Sequence, residues 1–113
     1  METTYGRHLL LDIWIKEEIP TIGKLRDIIV MCAVATGATI MTETSFQFSP
    51  DGISIVLVLA ESHLSVHAWT TERFMSIDCY TCGNQCDPMK ILTILESYFT
   101  IEDKNQELIE RGM

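Results

Sequence analysis

Ile53-Ser54-Ile55-Val56-Leu57-Val58-Leu59-Ala60 is a near-continuous apolar run rich in β-branched residues and leucine. Its length suits a strand and falls short of a typical helix. Apolar residues on both of its sides predict a central strand, covered on at least one face and crowded on both. Ser49-Pro50-Asp51-Gly52 precedes it as a strong turn signal, and before that Ala38 to Phe48 alternates β-branched or aromatic residues with polar ones. The pair reads as a strand, a hairpin connection and a second strand. Beyond the run, Glu61-Ser62-His63 interrupts it, Leu64 to Trp69 resumes it, and Thr70-Thr71-Glu72-Arg73 reads as a turn into a further strand, Phe74 to Thr81.

Working outward, Tyr5 to Ile15 is rich in strand formers, with Leu9, Leu11, Ile13 and Ile15 on one face and Leu10, Asp12 and Trp14 on the other. After Pro20, Thr21 is placed to cap a helix over Ile22 to Thr36, whose apolar residues recur at helical spacing, and Gly37 is placed to end it. Cys82 to Cys86 reads as a loop, and Asp87 with Pro88 opens a second helix, Met89 to Phe99. For Thr100 to Met113, Ile101, Leu108 and Ile109 allow a short terminal strand, but the charge and the final Gly-Met predict a frayed tail. The order β-α-β-β-β-β-α predicts an α+β two-layer sandwich, a mainly antiparallel sheet with both helices on one face.

The chain has 113 residues, 47% of them hydrophobic and 21% charged, which suits one globular domain over residues 1–113. Sixteen acidic residues against eight basic ones give a net charge of −8, which argues against nucleic acid or an anionic membrane surface as the main partner. No apolar run approaches the ~20 residues that span a bilayer. METTYGRHLLL has no signal-peptide pattern, so a cytoplasmic location is expected. In that compartment Cys32, Cys79, Cys82 and Cys86 are read as core thiols, ligands or reactive groups rather than disulfides.

Two of the three histidines and three of the four cysteines fall between Ala60 and Cys86. One reading is zinc held by Cys79-x-x-Cys82, Cys86, His63 and His67. The spacing is imperfect, because Cys79 and Cys82 point to opposite faces if the strand continues, and no second paired motif completes a tetrad. A redox pair is weak as well, because the motif does not sit between a strand and the helix it opens. Another reading is nucleophilic, with Ser62 at a strand end and His67 five residues on. The bland alternative makes Ser62-His63 a polar bulge, His67 a satisfied strand histidine and the cysteines buried hydrophobes.

Glu61-Ser62-His63-Leu64-Ser65-Val66-His67 followed by Trp69, Asp78, Thr81-Cys82-Gly83 and Asp87-Pro88 resembles the signature of the prokaryotic S-adenosylmethionine decarboxylase proenzymes. Gly6-Arg7-His8-Leu9, Thr36-Gly37-Ala38-Thr39, the Phe48-to-Gly52 hairpin and Glu110-Arg111-Gly112 extend the resemblance over nearly the whole chain. The resemblance implies self-cleavage between Glu61 and Ser62 into a β chain of 1–61 and an α chain of 62–113. Ser62 would become a pyruvoyl group, the cofactor, which forms a Schiff base with the substrate amine; no metal is implied. Ser54 and His67 would assist processing, Ser54 by hydrogen-bonding the tetrahedral intermediate and His67 as the base for elimination. Cys82 would be the proton donor in decarboxylation.

The substrate region departs from the family. The usual His-x-Trp-Pro-Glu is His67-Ala68-Trp69-Thr70-Thr71-Glu72 here, with the proline missing and the glutamate one place late. That glutamate is associated with the ribose in the family, and a one-residue slip along a strand turns a side chain to the other face. Phe48 is retained at the position associated with stacking on the adenine, which favours S-adenosylmethionine; ornithine or arginine is the alternative substrate. A non-catalytic relative is disfavoured by the intact Ser62, His67 and Cys82. The resemblance also implies a homodimer of cleaved protomers, with residues such as Phe48 supplied across the interface.

Overall fold

The computed structural model describes residues 5–60, 62–83 and 85–112. Its elements are β1 (Gly6–Ile15), α1 (Ile22–Thr36), β2 (Ile40–Gln47), β3 (Ile53–Leu59), β4 (Ser62–Trp69), β5 (Phe74–Cys82), α2 (Ile91–Tyr98) and β6 (Ile101–Arg111), with one 3₁₀ turn at Pro88–Lys90. The strands form one six-stranded sheet in the order β2-β3-β4-β5-β1-β6, every pair antiparallel.

Alternation along each strand builds the core. Leu9, Leu11, Ile13 and Ile15 of β1, the odd residues of β3, and Leu64, Val66, Ala68, Met75, Ile77 and Cys79 are buried with Leu25, Ile28, Ile29, Cys32 and Ala33 of α1 and Ile91 and Leu95 of α2. Each large aliphatic side chain so enclosed contributes about 1.5–3 kcal/mol of burial. Both helices therefore lie on one face, and the two-layer sandwich expected from the element order is the fold observed. Thr21 caps α1 by accepting from the Lys24 N–H at 3.4 Å. Gly37 ends α1 with φ 92°, a left-handed conformation that a Cβ would disfavour.

Three expectations need correction. β3 is next to the edge rather than central: its odd residues enter the core, while Ser54, Val56 and Val58 lie on the opposite, open face, where Val58 is 44% exposed. The run is apolar on both sides because that open face is itself apolar in places. Ser62 and His63 do not interrupt a strand but open β4, which begins at Ser62. The C-terminal segment is an eleven-residue strand paired with β1 over nearly its full length, although almost every side chain on it is exposed. Charged side chains suit an edge strand because they oppose pairing with further chains, so they did not signal fraying.

Candidate active site

The register of β3 against β4 places Ser54 opposite His67 and Leu59 opposite Ser62. The hairpin therefore carries two groups of sequence-predicted residues, one near each end, separated by five residues of extended chain, or about 16 Å.

At the first end, Ser54 Oγ lies 2.5 Å from His67 Nδ1. The hydrogen bond orients the imidazole and leaves Nε2 for other partners. Phe48, 43% exposed, follows β2 and approaches the His67 ring at 5.7 Å between centroids. Its loop closes through Phe48 N–H to Gly52 C=O at 2.8 Å. The Asp51 carboxylate accepts from the Thr70 and Thr71 N–H groups at 2.8 and 3.4 Å. That bond pins the Phe48 loop to the β4–β5 turn, where Glu72 is exposed. Glu72 thus sits in a four-residue turn between Trp69 and Phe74, which pair. The strand-parity argument about its one-place shift does not apply there.

Rings continue across the open face from Phe46 through Phe48, His67, Trp69 and Phe74 to Trp14, with successive centroids 4.4–5.7 Å apart. Sequence reading gave a role only to Phe48 and His67 in this stripe, with Trp69 noted as a motif residue. Register was needed to see that Phe46, Trp69, Phe74 and Trp14 share their face.

The other end gathers segments distant in sequence. Ser62 opens β4 with its hydroxyl donating to Ala60 C=O at 3.3 Å, and Ala60 N–H reaches Thr39 C=O. Gly83 N–H bonds Tyr5 C=O, Asp87 N–H bonds Thr36 C=O, and an Arg7 Nη2–H donates to Cys86 C=O. Cys82 lies opposite Gly6 on the open face. A Cβ at Gly6 would meet the Tyr80 ring at 2.6 Å, so a larger residue there would have to displace that ring. Alternation puts Ser62 on the helix-covered face, so Ser62 and Cys82 share an end of the sheet but start on opposite faces. Glu61, the other side of the expected cut, lies outside the described residues.

Beside Ser62, Thr81 is fully buried, and neither its Oγ1 nor the Nε of Arg7 has a hydrogen-bond partner among the described residues. A buried polar group left unpaired costs about 1–3 kcal/mol. The available signal was parity: Thr81 and Arg7 stand on faces of β5 and β1 that are otherwise apolar.

On the open face near this end, His8 Nε2 lies 3.2 Å from Asp78 Oδ1, and the His8 ring is 6.0 Å from that of His63. Tyr80 packs on both rings, and the Arg111 guanidinium sits 5.2 Å from the Tyr80 centroid. Burial, then the His8 charge, hold His63 below the ordinary histidine value, outweighing Asp78.

Cys79 faces the core, where burial pushes its thiol and that of Cys32 up to about 12. Cys79 and Cys82 face opposite sides of β5, so the Cys-x-x-Cys pair does not converge. Among the described residues no group of three His, Cys, Asp or Glu side chains could hold a metal ion.

The fold has a counterpart in the crystal structure of the adenosylmethionine decarboxylase from Aquifex aeolicus VF5. The two superpose with a TM-score of 0.85 over 99% of this chain and 94% of that one, at 23% identity. Residues 7–112 match the family model for S-adenosylmethionine decarboxylase. The S-adenosylmethionine decarboxylase proenzyme of Symbiobacterium thermophilum is 44% identical over 88 residues, 76% of this chain and 67% of that protein. Those of Brevibacillus brevis and Moorella thermoacetica are each 34% identical, covering 98% and 96% of this chain and 85% and 88% of theirs. The chain belongs to the S-adenosylmethionine decarboxylase family.

Proposed function

We propose that this chain is a self-processing, pyruvoyl-dependent carboxy-lyase that decarboxylates S-adenosylmethionine, giving the aminopropyl donor for spermidine and other polyamines. The observation that carries the reading is the family match over residues 7–112 in a chain that keeps Ser62 at the first position of β4.

The residues present fit the formation of the group. Ser62 Oγ attacks the carbonyl carbon of Glu61; a C–O bond forms, the Glu61–Ser62 C–N bond breaks, and the hydroxyl proton ends on the new amine. Ser54 hydrogen-bonds the tetrahedral intermediate. His67 removes the α-proton of residue 62, the Glu61 carboxylate leaves, and hydrolysis with loss of ammonia completes the pyruvoyl group. The products are a β chain of 1–61 and an α chain of 62–113. When present, that group supplies the electron sink for decarboxylation. The Cys82 thiol donates the proton that replaces the departing carboxylate. Phe48 stacks on the adenine, and Glu72 in its turn faces the rest of the nucleoside.

One chain cannot assemble this constellation, because Ser62 and Cys82 lie at one end of the β3–β4 hairpin and Ser54, His67 and Phe48 at the other. Two copies packed open face to open face, with their hairpins antiparallel, set the Ser62 end of each against the His67 end of its partner. A closed two-fold homodimer then holds two equivalent sites. The exposed Phe46, Phe48, Val58 and Trp69 on that face support such packing.

The test is the intact mass of the purified protein with a CO₂-release assay. Two chains are expected in place of one of 12.8 kDa, with Ser62→Ala left whole. A full-length chain without activity would sink the reading. Release from ornithine or arginine but not from S-adenosylmethionine would keep the pyruvoyl chemistry and replace the substrate.

A further inference from the structure

Thr81 stands where β5 calls for an apolar residue. Met75, Ile77 and Cys79 precede it on the helix-covered face, and its hydroxyl is buried with no partner among the described residues. Valine has nearly the same shape and would fill the position without that hydroxyl. On β1, Arg7 pairs with Thr81 and follows the apolar series Ile15, Ile13, Leu11 and Leu9 on the same face. Continuing the His63–Tyr80 pairing by one residue sets Ser62 opposite Thr81. Leu59, Ser62, Thr81 and Arg7 thus form one row across β3, β4, β5 and β1. Side chains directly opposite in an antiparallel pair have Cβ atoms about 4.5–5.5 Å apart, within reach of a bond between two hydroxyls. Ser62 itself is weakly held, since its bond to Ala60 C=O is 3.3 Å, long for an O–H···O contact.

We infer that Thr81 is a positioning residue for self-cleavage. As Ser62 Oγ turns toward the carbonyl carbon of Glu61, the Thr81 O–H, unpaired in the resting structure, swings to donate to it, while the Ser62 O–H stays on Ala60 C=O. The two bonds together hold the rotamer from which Oγ meets the carbonyl carbon of Glu61. Thr81 exchanges no proton in the step. The C–O bond formed, the C–N bond broken and the proton delivered to the amine all belong to residues 61 and 62. The inference rests on the pyruvoyl reading and adds a residue which that reading does not require.

The experiment is a time course of cleavage, followed by intact mass during cell-free synthesis of wild type, Thr81→Val and Thr81→Ser. Thr81→Val is expected to be cut about tenfold more slowly, the size of effect that one ordinary hydrogen bond supplies. Its melting temperature should equal or exceed that of the wild type, because a buried unpaired hydroxyl has been removed. Thr81→Ser, which keeps the hydroxyl, should recover most of the rate. After cleavage is complete, turnover per pyruvoyl group should match wild type to within about twofold, which separates cutting from decarboxylation.

A folded Thr81→Val chain cut at the wild-type rate overturns the inference. So does a Thr81→Ser chain cut as slowly as Thr81→Val, or a loss of turnover per pyruvoyl group as large as the loss in cutting. If Thr81→Val is insoluble, Thr81→Ala takes its place against the same serine control. A wild-type chain that stays whole overturns the pyruvoyl reading itself, so the two failures are distinguishable.

Discussion

The two ends of the β3–β4 hairpin are built in opposite ways. The Ser54–His67 end is a ring-lined surface, where packed aromatics run across the open face and one 2.5 Å hydrogen bond sets the histidine. The Ser62 end is a junction, where the start of β1, the close of α1, the end of β5 and the approach to α2 are tied by backbone bonds. Two of its buried polar atoms have no partner among the described residues. The first end exposes stacked rings, and the second holds a segment of backbone in place. Their separation along one stiff hairpin means that neither end is a whole site. Under the dimer proposed above, completeness is a property of two copies.

That separation is most directly broken by mixing variants. Ser62→Ala and His67→Ala chains, each made alone, should stay uncut, with cleavage down by a hundredfold or more, on the order of the loss of a general base. Produced together, the His67→Ala chains should be cut, because each meets an intact His67 in its Ser62→Ala partner. Mass spectrometry distinguishes the two chains, and a mixture that stays whole would return the site to a single chain.

A smaller effect sharpens the role of the ring-lined end. Phe48→Ala should raise KM for S-adenosylmethionine about tenfold, since stacking of a base on an aromatic ring is worth about 1–3 kcal/mol. Cleavage should continue, because Ser62, Ser54 and His67 are all retained and the Ser54–His67 hydrogen bond still sets the imidazole. Unchanged KM in a CO₂-release assay would remove Phe48 from the ligand.

The smallest effect concerns His63, near the junction on the open face. Burial and the neighbouring His8 lower its proton affinity in the folded chain, with Arg111 acting the same way and Asp78 opposing. As pH falls through the ordinary histidine value of about 6.5, the unfolded chain takes up this proton before the folded one does. Stability therefore falls with pH in that window and levels off below the folded value. Melting curves from pH 7.5 to 5 should show the decline, and His63→Gln should flatten it; an unchanged slope would count against the assignment.

Much of the fold was legible because alternation and capping are local signals. Leu9, Leu11, Ile13 and Ile15 declare one buried face, and Thr21 and Gly37 mark the limits of α1. β6 was misread because most of its residues are polar on both faces, and its strand character comes from backbone pairing with β1, which side-chain pattern does not report. β3 was placed too centrally because an apolar run looks the same whether its second face meets a helix or an open sheet face. The candidate site residues were named from motif order alone. Thr81 and Arg7 were quoted only as parts of motifs and given no role although parity marked both, because a lone polar residue in a core pattern gains meaning only when its partners can be counted.

Composition, strand alternation and the Ser-to-Cys motif were enough to establish family and layer architecture, since each depends on residues near one another in the chain. The division of the candidate site between two ends, the row that sets Thr81 against Ser62, and the apolar stripe on the open face came from register. Pairing is a non-local choice, made by backbone hydrogen bonds and by what each face must bury, and no segment read alone contains it.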